Sequence, residues 1–330
     1  MNKLTVAVVG ATGAVGQQMI QCLEERNFNI NLKLLASARS AGKTCQFNGQ
    51  DIVIEELKED SFKDVDYALG ATENDITKMW MPWAQANNVV VVDNSSAYRL
   101  DENVPLVIPE VNPEDIKNHK GIIANPNCAT IIALVALQEL YKKYHIKRMI
   151  VSTYQAVSGA GVKGIADLQN QVVDPNAPKT AFPFQIAYNL IPQIGDFDDN
   201  GISKEEWKMQ NEGRKMWHDD ELLVNCTCIR VPVMRSHSES IWIECEEEVD
   251  VNEARELISK GKGVVLKDDP KNKVYPMPID TTDQDLVYVG RIRKDLTDPT
   301  GHSLSLWCCG DQIRKGAATN AVQILEELVK

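Results

Sequence analysis

Short apolar runs and helical spacing alternate along the first third of the chain. In "KLTVAVVGATGAVGQQMIQCLEERNF" the run Leu4 to Val9 is continuous enough for a buried strand, and beyond the glycines apolar residues recur at helical spacing as far as Arg26. "NLKLLAS", "VDYALGA", "NNVVVVDNS" and "KGIIANP" read as further strands, with helical or irregular segments between them. Strands buried on both faces and alternating with helices predict a parallel sheet covered on each side. After a helix opening near Cys128 the pattern changes. "RMIVSTYQAVSG", "LLVNCTCIRVPV" and "SESIWIECEEEV" are strand-like and "VNEARELISKG" is helical, which predicts a mixed or antiparallel sheet with helices. The last stretch, "GDQIRKGAATNAVQILEELVK", is an amphipathic helix with a small-residue start, expected to pack back onto the first domain. The fold class is therefore α/β. A dinucleotide-binding, Rossmann-type domain over 1–127 is completed by 311–330, and a second, α+β domain covers 128–310.

Composition narrows the partners. A chain of 330 residues exceeds one compact core, in keeping with two domains. The formal net charge of −12 argues against nucleic acid and anionic membranes, so an anionic substrate would need locally clustered arginine and lysine. No apolar run approaches a membrane span and no signal peptide is legible, which with the cysteine usage predicts a cytoplasmic protein. The eight cysteines have no disulfide-framework spacing and no C-x-x-C pair. Cys226-x-Cys228 and Cys308-Cys309 lie in apolar or alternating runs and read as strand packing, so no metal is expected.

Gly10-Ala-Thr-Gly13-Ala-Val-Gly16 follows a strand and opens a helix, the context in which glycines let backbone N–H groups and a helix N-terminus meet a pyrophosphate. About twenty residues further on, where an NAD-binding sheet places an acid on the ribose, the chain has Ser37-Ala-Arg39-Ser40. An arginine and hydroxyls there suit a 2′-phosphate, which favours NADP.

In "ANPNCATIIALVAL" either Asn125, with Pro126 at the first helical position, or Asn127 can cap the helix, and both choices put Cys128 in the first turn. Unpaired N–H groups and the helix dipole stabilise a thiolate there and could receive an oxyanion. The competing reading of Cys128 is a small buried hydrophobe. Of five histidines, His237 in "RVPVMRSHSES" is the best acid–base candidate, since it lies among small polar residues at a strand start.

"GATGAVG", "PNCAT", "YQAVSGAG", "RVPVMRSHSES" and "RKGAATNAVQI", in that order over nearly the whole chain, resemble the aspartate-semialdehyde dehydrogenases. The resemblance implies reversible, NADP-dependent, phosphorylating oxidation of aspartate 4-semialdehyde to aspartyl 4-phosphate, in synthesis of lysine, threonine and methionine. It makes Cys128 the nucleophile, His237 the acid–base group and Gln155 an orienting side chain. Arg230 would hold the substrate carboxylate, Glu212 its ammonium, and Arg99 with Lys215 the phosphate. Glu212 and Lys215 share a helix face, whereas Arg230 and His237 would point to opposite faces of one regular strand unless a bend intervened. Cofactor contacts implied by the resemblance are Gly10, Thr12, Gly13, Ala14, Val15, Gly16, Arg39, Ser40, Ser158, Gly159 and Gln312.

Two departures from the family pattern stand out. Gly70-Ala-Thr-Glu73-Asn74 replaces a small, glycine-bearing run, and Gln312 stands where an Asn is usual. The rival readings are a reductase of another amino-acid acyl phosphate, of the N-acetylglutamyl-phosphate type, and a non-catalytic NADP-binding homologue. The substrates would be small molecules, and the family suggests a homodimer or dimer of dimers through the second domain.

Overall fold

The glycine loop follows strand β1 (Thr5–Val9) and leads into helix α1 (Ala14–Glu25). In the computed structural model, which describes residues 3–330, the chain forms two units. One comprises the chain up to Pro126 together with Ala317–Lys330, and the other is Asn127–Gly316.

The first unit is built on a seven-stranded sheet. Its strands are β1, β2 (Asn31–Ala36), β3 (Thr44–Phe47), β4 (Gln50–Glu56), β5 (Tyr67–Gly70), β6 (Val90–Asp93) and β7 (Ile122–Ala124), in the order β3-β4-β2-β1-β5-β6-β7. All neighbours are parallel except the β3–β4 hairpin. Strands buried on both faces need apolar residues at consecutive positions, and Val6 to Val9 have them. Val6, Val8, Leu34, Leu69 and Val92 join Met19, Ile20 and Leu23 of α1 and Val322 and Leu325 of the last helix, α8 (Thr319–Val329), in one core. Each such side chain contributes about 1.5–3 kcal/mol of burial. Helix α2 (Asn74–Ala86) buries Trp80 and Met81, and the Trp80 ring stacks on Phe62 at 5.5 Å. Chain order reverses beside β1, so the glycine loop lies at the carboxyl end of the strand at the switch point, where open α/β sheets bind ligands.

The second unit opens with helix α3 (Cys128–Tyr144), apolar nearly all round and therefore interior. It continues through β8 (Ile146–Gln155), α4 (Gly161–Val173), α5 (Lys204–Trp217), β9 (Leu223–Arg230), β10 (His237–Cys245), α6 (Val251–Lys260), β11 (Val264–Leu266), α7 (Pro278–Thr281), β12 (Val287–Lys294) and β13 (Ser303–Gly310). These strands form a six-stranded mixed sheet, β11-β12-β13-β10-β8-β9, against which α3, α5 and α6 pack. Register fixes which side chains share a face. Cys228, Thr153, Glu239 and Cys308 form one transverse row, and Arg230 pairs with Gln155 in the next. His237 lies two residues before Glu239 on β10 and so faces the same side.

Candidate active site

In the first unit the glycines have separate reasons to be glycine. Gly10 has φ +88° and a Cβ there would lie 2.4 Å from the Ala71 carbonyl oxygen, while a Cβ on Gly16 would lie 2.2 Å from the Gly10 oxygen. Gly13 is the N-cap of α1 and offers no side chain to its N–H groups, and the first turn, where Ala14 and Val15 stand, holds no acid. That helix start is thus free to meet an anion. Thr12 is exposed on the loop. After β2, Arg39 is exposed on a turn and Ser40 is buried in it. Glu73 is the exposed N-cap of α2, where a carboxylate suits the helix dipole. Arg99, also of this unit, is buried beside β6 and donates from Nη2 to the Asn94 carbonyl at 2.9 Å.

In the second unit Asn127 is the cap of α3. Its side-chain oxygen accepts from the N–H groups of Ala129 at 3.0 Å and Thr130 at 3.3 Å, which makes Cys128 the first helical residue. The thiol is partly exposed. Gly316, in a π-helical stretch Arg314–Ala318, approaches so closely that a Cβ on it would lie 2.8 Å from the Cys128 Cβ.

Gln155 ends β8 and is 2% exposed. Its Oε1 accepts from the Thr153 hydroxyl at 3.0 Å, its Nε2 donates to Glu205 Oε1 at 3.1 Å, and the same nitrogen lies 3.3 Å from His237 Nε2. His237 is fully buried, and its Nδ1 accepts the Ala156 N–H at 3.1 Å. With that nitrogen used as an acceptor, the neutral ring carries its proton on Nε2. Burial, followed by the nearby positive charge of Arg230, pushes the His237 pKa down to about 3.

Arg230 ends β9 and His237 begins β10, so a turn separates them and the problem of opposite faces on one strand does not arise. Gly159 permits their approach, for a Cβ there would lie 2.8 Å from Arg230 Nη1 and 3.3 Å from His237 Cε1. Ser158 and Gln312 are hydrogen-bonded to each other, and the Gln312 oxygen accepts the Ser236 N–H at 2.8 Å. The longer amide thus ties Ser158 to the residue before His237.

The acidic partner of this group is one that the spacing argument passed over. Glu205 Oε1 accepts from Asn127 Nδ2 at 3.0 Å as well as from Gln155, and its Oε2 pairs with Lys208 at 2.8 Å. Burial alone would raise its pKa, but the Lys208 charge and hydrogen bond, with those of Asn127 and Gln155, bring it down to about 2. Glu212, two turns along α5, is buried and accepts the Asn127 N–H at 2.6 Å, so its carboxylate holds the start of α3. Lys215 is half-buried on the last turn of α5. Ser203 and Glu206 form a capping box at the start of α5, and "SKEEWK" carried that signal: it places Glu205 in the first turn and Lys208 three residues on.

Two family profiles match the chain: "Semialdehyde dehydrogenase, NAD binding domain" over residues 5–119 and "Semialdehyde dehydrogenase, dimerisation domain" over 137–315. The aspartate-semialdehyde dehydrogenase of Aquifex aeolicus is 52% identical over 98% of each chain, and that of Bacillus subtilis is 46% identical over 99% of this chain and 98% of its own. A crystal structure of aspartate semialdehyde dehydrogenase II from Vibrio cholerae, complexed with ASA, has a TM-score of 0.96 at 42% identity, covering 100% of this chain and 99% of that one. The enzyme with NADP from Candida albicans has a TM-score of 0.77 at 26% identity over 99% of both chains. Identity at this level over essentially the full length places the chain in the aspartate-semialdehyde dehydrogenase family.

Proposed function

We propose that the chain catalyses the reversible, NADP-dependent, phosphorylating oxidation of L-aspartate 4-semialdehyde to L-aspartyl 4-phosphate through a thioester on Cys128. The observation that carries this reading is the placement of Cys128 at the start of α3, whose cap Asn127 shares the buried Glu205 with Gln155, with His237 Nε2 lying 3.3 Å from the Gln155 amide nitrogen. The positive end of the α3 dipole and the charge of Arg230 favour a thiolate at that position. The thiolate adds to the aldehyde carbon, and the Nε2 proton of His237 is set to hydrogen-bond the oxyanion that forms. To act as a base at Nε2 the ring must move its proton to Nδ1 and give up the Ala156 bond. The uncapped start of α1, without an acid and with no room for a Cβ on Gly16, fits a dinucleotide pyrophosphate. NADP held there, with Arg39 and Ser40 at the ribose phosphate, supplies the hydride acceptor. Phosphate then attacks the thioester, and Cys128 leaves as thiolate.

Arg230 is assigned to the substrate carboxylate. The ammonium role, expected of Glu212, suits Glu205 better, because Glu205 is the ionised acid of the network while Glu212 is committed to a backbone N–H. Lys215 and Arg99 remain assigned to phosphate, with Lys208 as a further cation. A carboxylate at the amine position favours a free ammonium over an acetylated one, which disfavours the N-acetylglutamyl-phosphate reading. We further read the protein as a cytoplasmic homodimer built through the second unit. The test is NADPH formation from aspartate semialdehyde and phosphate by the wild type and by Cys128→Ala. Phosphate-dependent turnover that falls to background in the variant is the expected result, and turnover that survives the substitution overturns the cysteine mechanism.

A further inference from the structure

The segment between α4 and α5 contains no strand or helix of its own over residues 174–193, yet side chains of α4 hold it at several points. Asp167, 1% exposed, receives the Thr180 N–H at 3.0 and 2.9 Å, the Thr180 hydroxyl at 2.6 Å, the Ala181 N–H at 2.8 Å and the Phe182 N–H at 3.4 Å. One turn further on, Gln171 accepts the N–H groups of Ile186 at 2.8 Å and Ala187 at 3.3 Å. Phe182, Ile186, Ala187 and Ile191 then pack with Leu168 and Val157 in a small core separate from that of the first unit.

Two points of this segment meet Arg230. Ile191 exchanges backbone hydrogen bonds with Arg230 at 3.0 and 2.9 Å, and the Phe182 ring centroid lies 5.8 Å from the guanidinium carbon. Gly164 makes room for that ring, since a Cβ there would lie 3.1 Å from Phe182 Cζ. Arg230 is 6% exposed, and its guanidinium donates from Nη1 to the Ala156 carbonyl at 2.6 Å and has no carboxylate ion pair among the described residues. A buried cation in that state is held by the neighbouring ring and by one hydrogen bond, and its remaining donors are available to an anion.

We propose that Phe182, locked by Asp167 through the backbone of residues 180–182, is the positioning residue that sets the Arg230 guanidinium for the substrate's α-carboxylate. The inference rests on the assignment of Arg230 to that carboxylate and adds the groups that make the arginine selective for it. The ring restrains the position of the guanidinium, and Asp167 restrains the ring. Aspartate semialdehyde should feel the loss of either, and phosphate should not.

The experiment compares the wild type with Phe182→Leu, Phe182→Tyr and Asp167→Asn as full chains with NADP. It reads KM for aspartate semialdehyde, KM for phosphate, kcat, and competitive inhibition by β-aminopropionaldehyde, which lacks the carboxylate. Loss of a desolvated ring–guanidinium contact predicts a rise of about tenfold in semialdehyde KM for Phe182→Leu. kcat, phosphate KM and the inhibition constant should stay within about twofold, because uniform binding of one substrate group has been removed. Phe182→Tyr, which keeps the ring, should restore the wild-type KM. If Phe182→Leu does not fold, Asp167→Asn must show the same split. Equal loss for both substrates, loss of the carboxylate-free inhibitor, or no effect of either substitution overturns the proposal. A wild type inactive on aspartate semialdehyde would instead overturn the functional reading on which it rests.

Discussion

At the residue scale, two buried groups make opposite predictions for pH. His237 has a folded pKa of about 3, well below its unfolded value, so the unfolded chain binds the extra proton in the interval between. Its contribution to stability is complete above the unfolded pKa and is lost as pH falls through that interval, at up to about 1.4 kcal/mol per pH unit. In His237→Gln the decline in melting temperature between neutral and acidic pH should therefore be shallower than in the wild type. The same depression means that His237 itself should contribute no acid limb to kcat/KM near the ordinary imidazole pKa, so any limb found there in a pH–rate profile should be reproduced in His237→Gln. Glu239 is fully buried, with neither carboxyl oxygen hydrogen-bonded, and burial, followed by the neighbouring Cys228, raises its pKa well above the usual carboxylate range. Here the native state holds the proton, so stability is full below the unfolded carboxylate pKa and falls as pH rises above it. Glu239→Gln, of nearly the same shape, should melt higher than the wild type at alkaline pH and match it near the unfolded carboxylate pKa. Sequence could single out His237 from its polar neighbours. It could not show that the Ala156 N–H occupies Nδ1, because that bond depends on a turn eighty-one positions away in the chain.

At the scale of elements, caps and periods were legible and the choice between equivalent turns was not. "PNCAT" announced a helix start, and the choice between Asn125 and Asn127 was settled only by which side chain reaches the N–H groups of Ala129 and Thr130. On α5 the pairs Glu205–Lys208 and Glu212–Lys215 have identical spacing, so periodicity alone cannot say which turn meets Gln155. The register of β8 with β9 and β10 decides it, and register is a long-range property. Asn127→Ala removes the cap and one donor to Glu205. Cap loss costs about 1 kcal/mol, so the melting temperature should fall by a few degrees, with a larger proportional loss of kcat because Cys128 follows immediately. Gly316→Ala is the complementary case, since its methyl would press on the Cys128 Cβ rather than unfasten the helix. Turnover should drop while NADP binding, measured by fluorescence quenching, persists, because the glycine loop is untouched.

At the scale of the whole molecule, the alternation of strands and helices showed two kinds of sheet, and the final amphipathic helix was legible as a returning element. α8 does share the core of the first unit with α1. Which face of the second sheet stays uncovered was not legible, because strands with one wet face and strands that pair across subunits have similar patterns. In the second unit α3, α5 and α6 pack against the sheet face that carries Val151, Ile241 and Leu306. Residues of the opposite parity, including Ile150 on β8 and Trp242 and Trp307 on β10 and β13, lie on the other face. Ile150 is 45% exposed and Leu223, on the neighbouring strand, 47%. The same face carries the Arg148–Glu244 ion pair beside these exposed apolar side chains, and within a matched dimerisation domain a sheet face of this mixed character suits a two-fold contact, in which one patch serves both chains. Ile150→Arg would put a charged side chain into such a contact twice, once from each chain, and the cost of desolvating both opposes association. Sedimentation should then shift from twice the chain mass to a single chain. The wild-type melting temperature should rise with protein concentration, since association stabilises only the folded form, and that dependence should vanish in the variant. A wild type that sediments as a monomer at micromolar concentration, or a variant that remains dimeric, would move the contact to another surface.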